Sequence, residues 1–140
     1  MDIRGKNIRP YQRTEATINV DESRLSKILA GDMVELNKYA EELAKHFLEG
    51  NGRDRDSKKL STSQMRTVLT EIQKMKQYDL NKIQLLRPKL AYAAGRHKGK
   101  VRDFRELMEA LFRKLNKDNF ENFKYFIEAL VAYHKYHCGR

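Results

Sequence analysis

From Leu25 to Phe47 the apolar positions Leu25, Ile28, Leu29, Met33, Leu36, Tyr39, Ala40, Leu43 and Phe47 recur at intervals of three and four, the spacing that lines one face of an α-helix. The interval returns at Met65, Val68, Leu69, Ile72 and Met75, then at Leu80, Ile83, Leu86, Leu90 and Ala94. It returns again at Val101, Phe104, Leu107, Met108, Leu111, Phe112 and Leu115, and finally from Phe120 through Phe123, Phe126, Ile127, Leu130 and Val131 to His134. No segment alternates with period two over a useful length, and strand-type clusters of Val, Ile and Thr are absent, so a sheet has nothing to build on. The pattern predicts an all-α fold, a compact bundle of about five helices.

The breaks in the pattern mark where helices begin and end. Gly31 and Asp32 interrupt the first stripe, giving either one kinked helix or a short helix followed by a longer one that Asp32 caps. Gly50, Asn51 and Gly52 end that element, and the charged stretch from Arg53 to Lys59 has the composition of a loop. Ser61 followed by Gln64 is a capping-box pattern that opens the next helix. Pro88 predicts a kink or a new helix start, because its ring removes one backbone hydrogen bond. Gly95 and Gly99, the run from Asn116 to Asn119, and Gly139 supply the remaining stops. Residues 1–20 show no period and carry Pro10 with Arg4, Lys6, Arg9 and Arg13; they predict a flexible basic arm ahead of a single domain over residues 21–140.

Charge narrows the class of partner. Lys and Arg total 29 against 19 Asp and Glu, a formal net charge of +10, and such an excess implies a polyanionic partner. Its distribution is uneven. Residues 21–49 are acidic on balance, with Asp21, Glu22, Asp32, Glu35, Glu41, Glu42 and Glu49 against Arg24, Lys27, Lys38 and Lys45. Between residues 87 and 105, Arg87, Lys89, Arg96, Lys98, Lys100, Arg102 and Arg105 meet only Asp103. A second basic cluster, Arg53, Arg55, Lys58, Lys59 and Arg66, is diluted by Asp54 and Asp56. No apolar run reaches the ~18 residues of a membrane span and no signal-peptide stretch opens the chain. Cys138 is the sole cysteine, which excludes an internal disulfide and suits a reducing compartment, so the expected location is the cytoplasm.

Catalytic patterns are thin. His134, His137 and Cys138 lie close enough to suggest metal ligands, but a fourth ligand at recognisable spacing is missing, and His134 falls on the apolar stripe, where an imidazole completes a core. His97 beside Lys98 and Arg96 has the residue types of a nuclease site, yet a lone histidine in a basic loop more simply adds a donor to an anion surface. Neither a GxxxxGK[ST] loop nor a GxGxxG turn occurs. The reading is of a non-enzyme with no cofactor, no metal, no membrane contact and no small-molecule substrate.

Phosphate contact explains the basic segments better. Arg and Lys near helix ends, with hydroxyls such as Thr62 and Ser63 at a helix start, form a cradle for phosphate oxygens that reads shape and not sequence. Tyr92 and Tyr133 are candidates to stack on bases, although tyrosines at helical spacing are more often half-buried core.

Three segments, LSTSQMR from Leu60 to Arg66, LRPKLAYAAGR from Leu86 to Arg96, and the run from Phe123 through FIEALVAYHKY to Tyr136, together resemble the Csm-family small subunit of type III-A CRISPR effector complexes. The resemblance covers roughly residues 57–139; Met65 and Arg87 stand where Ile and Lys are expected, and the His137-Cys138-Gly139 ending departs further. It implies a non-catalytic helical bundle in an antiviral ribonucleoprotein, present in several copies that stack along guide RNA and target RNA beside other Csm subunits. Carried onto matching positions, it implies Arg66, Lys89 and Arg96 as phosphate contacts with Ser63 and Gln64 as capping or backbone partners. Lys58, Lys59, Lys98 and Lys100 join them by adjacency. Two rival readings stand beside it. One is a helix-turn-helix DNA regulator using the helix from Val101, a poor reader because its polar face carries Asp103, Glu106 and Glu109. The other is a helical protein-interaction adaptor.

Overall fold

The computed structural model describes residues 18–49, 60–96 and 99–138. Among them are six helices and no strand: α1 (Glu22–Leu29), α2 (Met33–Leu48), α3 (Thr62–Gln73), α4 (Leu80–Arg96), α5 (Lys100–Phe112) and α6 (Phe120–Cys138). The sixth arises because the first stripe divides. Asp21 caps α1 by accepting from the Arg24 amide at 3.2 Å, and Asp32 caps α2 by accepting from the Glu35 amide at 3.0 Å. Between them Gly31 adopts φ 110°, a left-handed conformation that a β-carbon disfavours. Asn122 of α6 donates to the Leu29 carbonyl at 2.9 Å, satisfying an end group of α1 from across the bundle.

The other boundaries follow their side chains. Ser61 Oγ accepts from the Gln64 amide at 3.1 Å while the Ser61 amide donates to Gln64 Oε1 at 2.9 Å, the reciprocal capping box. Asp79 opens α4 by accepting from the Lys82 amide. Asn116 and Asn119 fold the turn before α6 on their own side chains, Asn116 Oδ1 accepting from the Asp118 and Asn119 amides. Pro88 neither ends α4 nor starts a new helix: one helix runs from Leu80 to Arg96. The ring lies among exposed positions, and so does Gln84, whose carbonyl loses its amide partner there, so water can satisfy that carbonyl.

The principal seam joins α2 to α6, with α1 and α3 also against α6, and α5 between α2 and α4. Aromatic rings fill this seam and its border with α5: Tyr39 against Phe126 at 6.4 Å across α2 and α6, Phe47 against Phe104 at 5.8 Å across α2 and α5, and Phe112 against Phe123 at 6.2 Å across α5 and α6 between centroids. Phe47, Phe123 and Phe126 are wholly buried, each contributing up to about 3 kcal/mol by removal from water. Met33 departs from the expected stripe and is partly exposed at the start of α2. Ile18 and Val20, at the end of the expected arm, pack against the core; residues 1–17 lie outside the described residues.

Candidate nucleic-acid interface

Helix α4 is held in the bundle mainly through α5, and that leaves one side of it outward. Ile83, Leu86, Leu90 and Ala94 are its buried positions. On an adjoining flank Lys82, Leu85, Lys89, Tyr92 and Arg96 follow one another at steps of three and four and are all exposed, which on a helix makes a single line. At ~1.5 Å of rise per residue the line is about 21 Å long. Lys82, Lys89 and Arg96 have no acid partner among the described residues. Arg96 turns instead to Tyr92, its guanidinium 5.9 Å from the ring centroid and Nη1 3.4 Å from the tyrosine hydroxyl oxygen.

Beside this line, between α3 and α4, lies a cleft of about 210 Å³. Val68, Leu86, Leu90, Ala93, Val101 and Phe104 form its apolar walls, and Gln64, Thr67, Glu71 and Lys89 its polar edge. It continues toward Lys74 and Lys82.

The structure groups the residues expected from sequence unequally. Lys89 and Arg96 share the α4 line. Gln64 reaches the cleft edge, with its amide oxygen held by the cap. Ser63 is exposed and its carbonyl accepts from the Thr67 hydroxyl at 3.0 Å. Arg66 is exposed but stands on a different flank of α3 from Gln64, Thr67 and Glu71; it is in helical register with Gln73, which donates to Glu128 of α6. Lys100 is largely buried and turned inward, its Nζ 3.8 Å from Asp103 and 3.9 Å from Glu49. Lys58, Lys59 and Lys98 lie outside the described residues, as does His97.

The basic stretch over residues 87–105 is also less free than its composition implies. Glu109, just beyond it, takes Arg87 Nε at 3.0 Å and Nη2 at 3.0 Å, and this raises the Arg87 pKa further above its ordinary value. Arg102 and Arg105 are half-buried with their Nε atoms enclosed and without a hydrogen-bond partner. Lys82 and Leu85 are the members of the α4 line that composition missed; stepping back by seven and by four from Lys89 finds them.

Two expectations about acids need correction. Asp103 and Glu109 do not lie on an open polar face of α5: they are 1% and 8% exposed, and Glu106 alone of the three is exposed. Asp103 accepts from the Ile18 amide at 3.3 Å and lies 2.7 Å from His46 Nε2. Most of α5 is buried in the bundle, so it cannot enter a DNA groove as a reading helix.

The histidines have structural duties. His134 is wholly buried with Nε2 2.8 Å from the Leu60 carbonyl, and burial lowers its pKa below the ordinary imidazole value. His137 Nε2 lies 2.7 Å from Glu41. Among the described residues no group of three His, Cys, Asp or Glu is placed to hold a metal ion, and no helix is long and apolar enough to cross a membrane. Tyr133 is half-buried and donates its hydroxyl to Asn37 at 3.1 Å, whereas Tyr92 stands in the open.

A family model described as Csm2 Type III-A matches residues 30–140, reaching back through α2 beyond the segments that carry the resemblance. No curated protein and no solved structure matches the chain.

Proposed function

The chain belongs to the Csm2 type III-A family, a small subunit of the type III-A CRISPR Csm complex, and we propose that its task there is to hold RNA by the phosphate backbone, without catalysis and without reading sequence. The observation that carries this reading is the row Lys82, Lys89 and Arg96 on the outer side of α4, three exposed cations with no acid partner among the described residues. Such a row leaves an uncompensated positive line that a polyanion complements. A subunit that serves every guide has to bind what all guides share, the backbone.

Lys89 and Arg96 are the primary contacts in this proposal. Ser63 and Gln64 are secondary contacts at the start of α3, and Lys58, Lys59 and Lys98 border the two basic segments; Arg66, on another flank of α3, and Lys100, drawn inward, take no part. Guide RNA and target RNA are the partners, alongside other Csm subunits and further copies of this chain stacked along the RNA in antiviral defence in the cytoplasm. The residues ahead of Ile18 serve as a basic arm, and the domain begins where Ile18 and Val20 pack against the core. A non-catalytic role is supported by His134 and His137, whose Nε2 atoms lie against the Leu60 carbonyl and Glu41.

Titration of the full chain with two single-stranded RNAs of unrelated sequence, and with duplex DNA, at two salt concentrations tests the proposal. Affinity for both RNAs should be equal and should fall together as salt rises. A preference for one duplex DNA sequence favours a regulator, and absence of nucleic-acid binding favours an adaptor; either result defeats the RNA reading.

A further inference from the structure

Among the described residues, Tyr92 is the exposed aromatic ring that sits between two cations on one line. It is 68% exposed, with Lys89 one turn before it and Arg96 one turn after it, about 4.5 and 6 Å away along the helix axis. Tyr39 is buried and its hydroxyl accepts from the Asp21 amide. Tyr78 packs edge-on to Phe120. Tyr136 is exposed at the end of α6, against the His137 ring. The Tyr92 ring has Arg96 on one side, 5.9 Å from its centroid, and its exposure leaves another side open to water.

From this juxtaposition we infer that Tyr92 is a stacking platform for one unpaired base of an RNA strand whose phosphates run along Lys82, Lys89 and Arg96. The inference rests on the RNA reading above and deepens it by choosing the strand state. A duplex offers phosphates to a basic row but keeps its base faces stacked on one another, so an aromatic ring in that row has nothing to receive. An unpaired strand offers both, and a π-face accepts any base. Leu85, 66% exposed one turn from Lys89, continues the apolar surface toward Lys82. A protein partner on this side would have to bring acids to three cations, and the stripe offers it no acid of its own; the polyanion is the better complement.

The test uses the full chain. The sequence contains no tryptophan, so Tyr92→Trp introduces a single reporter ring at the site. Its fluorescence should be quenched by single-stranded RNA and not by an abasic ribose-phosphate strand of equal length that binds to saturation. Tyr92→Ala should weaken single-stranded RNA at least about fivefold with an unchanged salt slope, and should leave the abasic strand and duplex RNA as they were. Tyr92→Phe should retain affinity, since stacking does not need the hydroxyl. No quenching on saturation with single-stranded RNA overturns the inference, as does equal weakening of single-stranded and abasic strands by Tyr92→Ala. A Tyr92→Ala chain that binds RNA normally but loses association with another copy or a Csm subunit makes the stripe a protein interface instead. If the unaltered chain binds no strand of any kind, the RNA reading itself falls.

Discussion

The α1–α2 side of the bundle and the outer side of α4 treat charge in opposite ways. On the first, Arg24 pairs with Glu35 and at 2.7 Å with Glu42 while lying 4.2 Å over the Tyr39 ring. Glu42 holds the Arg24 pKa above, and Arg24 holds the Glu42 pKa below, their ordinary values. Glu22 meets Arg113 and Lys114 at 3.5 and 3.4 Å, and Glu41 meets His137 at 2.7 Å. On the second, Lys82, Lys89 and Arg96 face water. The acids of residues 21–49 are thus partly neutralised by Arg24 of α1, Lys100 of α5 and Arg113 and Lys114 just beyond it; the exposed Lys27, Lys38 and Lys45 on this side stand among acids, whereas the α4 line itself carries none. Net charge counted along a chain is not the charge a partner meets.

That contrast predicts a division of labour between stability and binding. The largest effect belongs to the seam: Phe126→Ala should destabilise the bundle by about 3–5 kcal/mol, since it empties a fully enclosed ring site between α2 and α6. Chemical denaturation measures it. RNA affinity of the fraction still folded should be unchanged, and a selective loss of binding would blur the division.

Acid should act on the same half. Burial makes His134 take up a proton less readily in the folded chain than in the unfolded one, so unfolding becomes easier as pH falls through about 6.5, at up to about 1.4 kcal/mol per pH unit. His134→Gln keeps an N–H for the Leu60 carbonyl and should remove that part of the slope. An identical pH profile for both proteins would show that the imidazole is not held neutral.

Smaller again is Arg24→Ala, which should cost about 0.5–1 kcal/mol because Glu42 is well exposed. It should leave the salt dependence of RNA binding untouched, and a change there would mean that RNA also approaches the α1–α2 side.

The helices were readable because each carries its period in its own residues, and the capping box at Ser61 and Gln64 was readable because both partners lie within one turn. His134 could be assigned to the core for the same reason, from its place on the stripe. What could not be read depends on partners distant in the chain. Asp103 lies inside because it meets the Ile18 amide and His46, and Glu109 because Arg87 reaches it from α4. Lys100 stands among free cations in the sequence, although Asp103 and Glu49 draw it inward. Arg66 matched the family motif, but a motif does not say which flank of a helix faces its neighbour. The density of basic residues does not reveal Lys82; the α4 line is visible only when the period that locates the core is applied to the exposed side.

The most direct measurement compares the unaltered chain with Lys89→Ala/Arg96→Ala in RNA affinity across a series of salt concentrations. Removing two phosphate contacts should weaken binding by about 1 kcal/mol or less for each residue and reduce the slope of log affinity against log salt by up to about one for each, with thermal stability unchanged. An unaltered slope and affinity in a double variant that remains folded would contradict the account, because RNA would then not lie along α4.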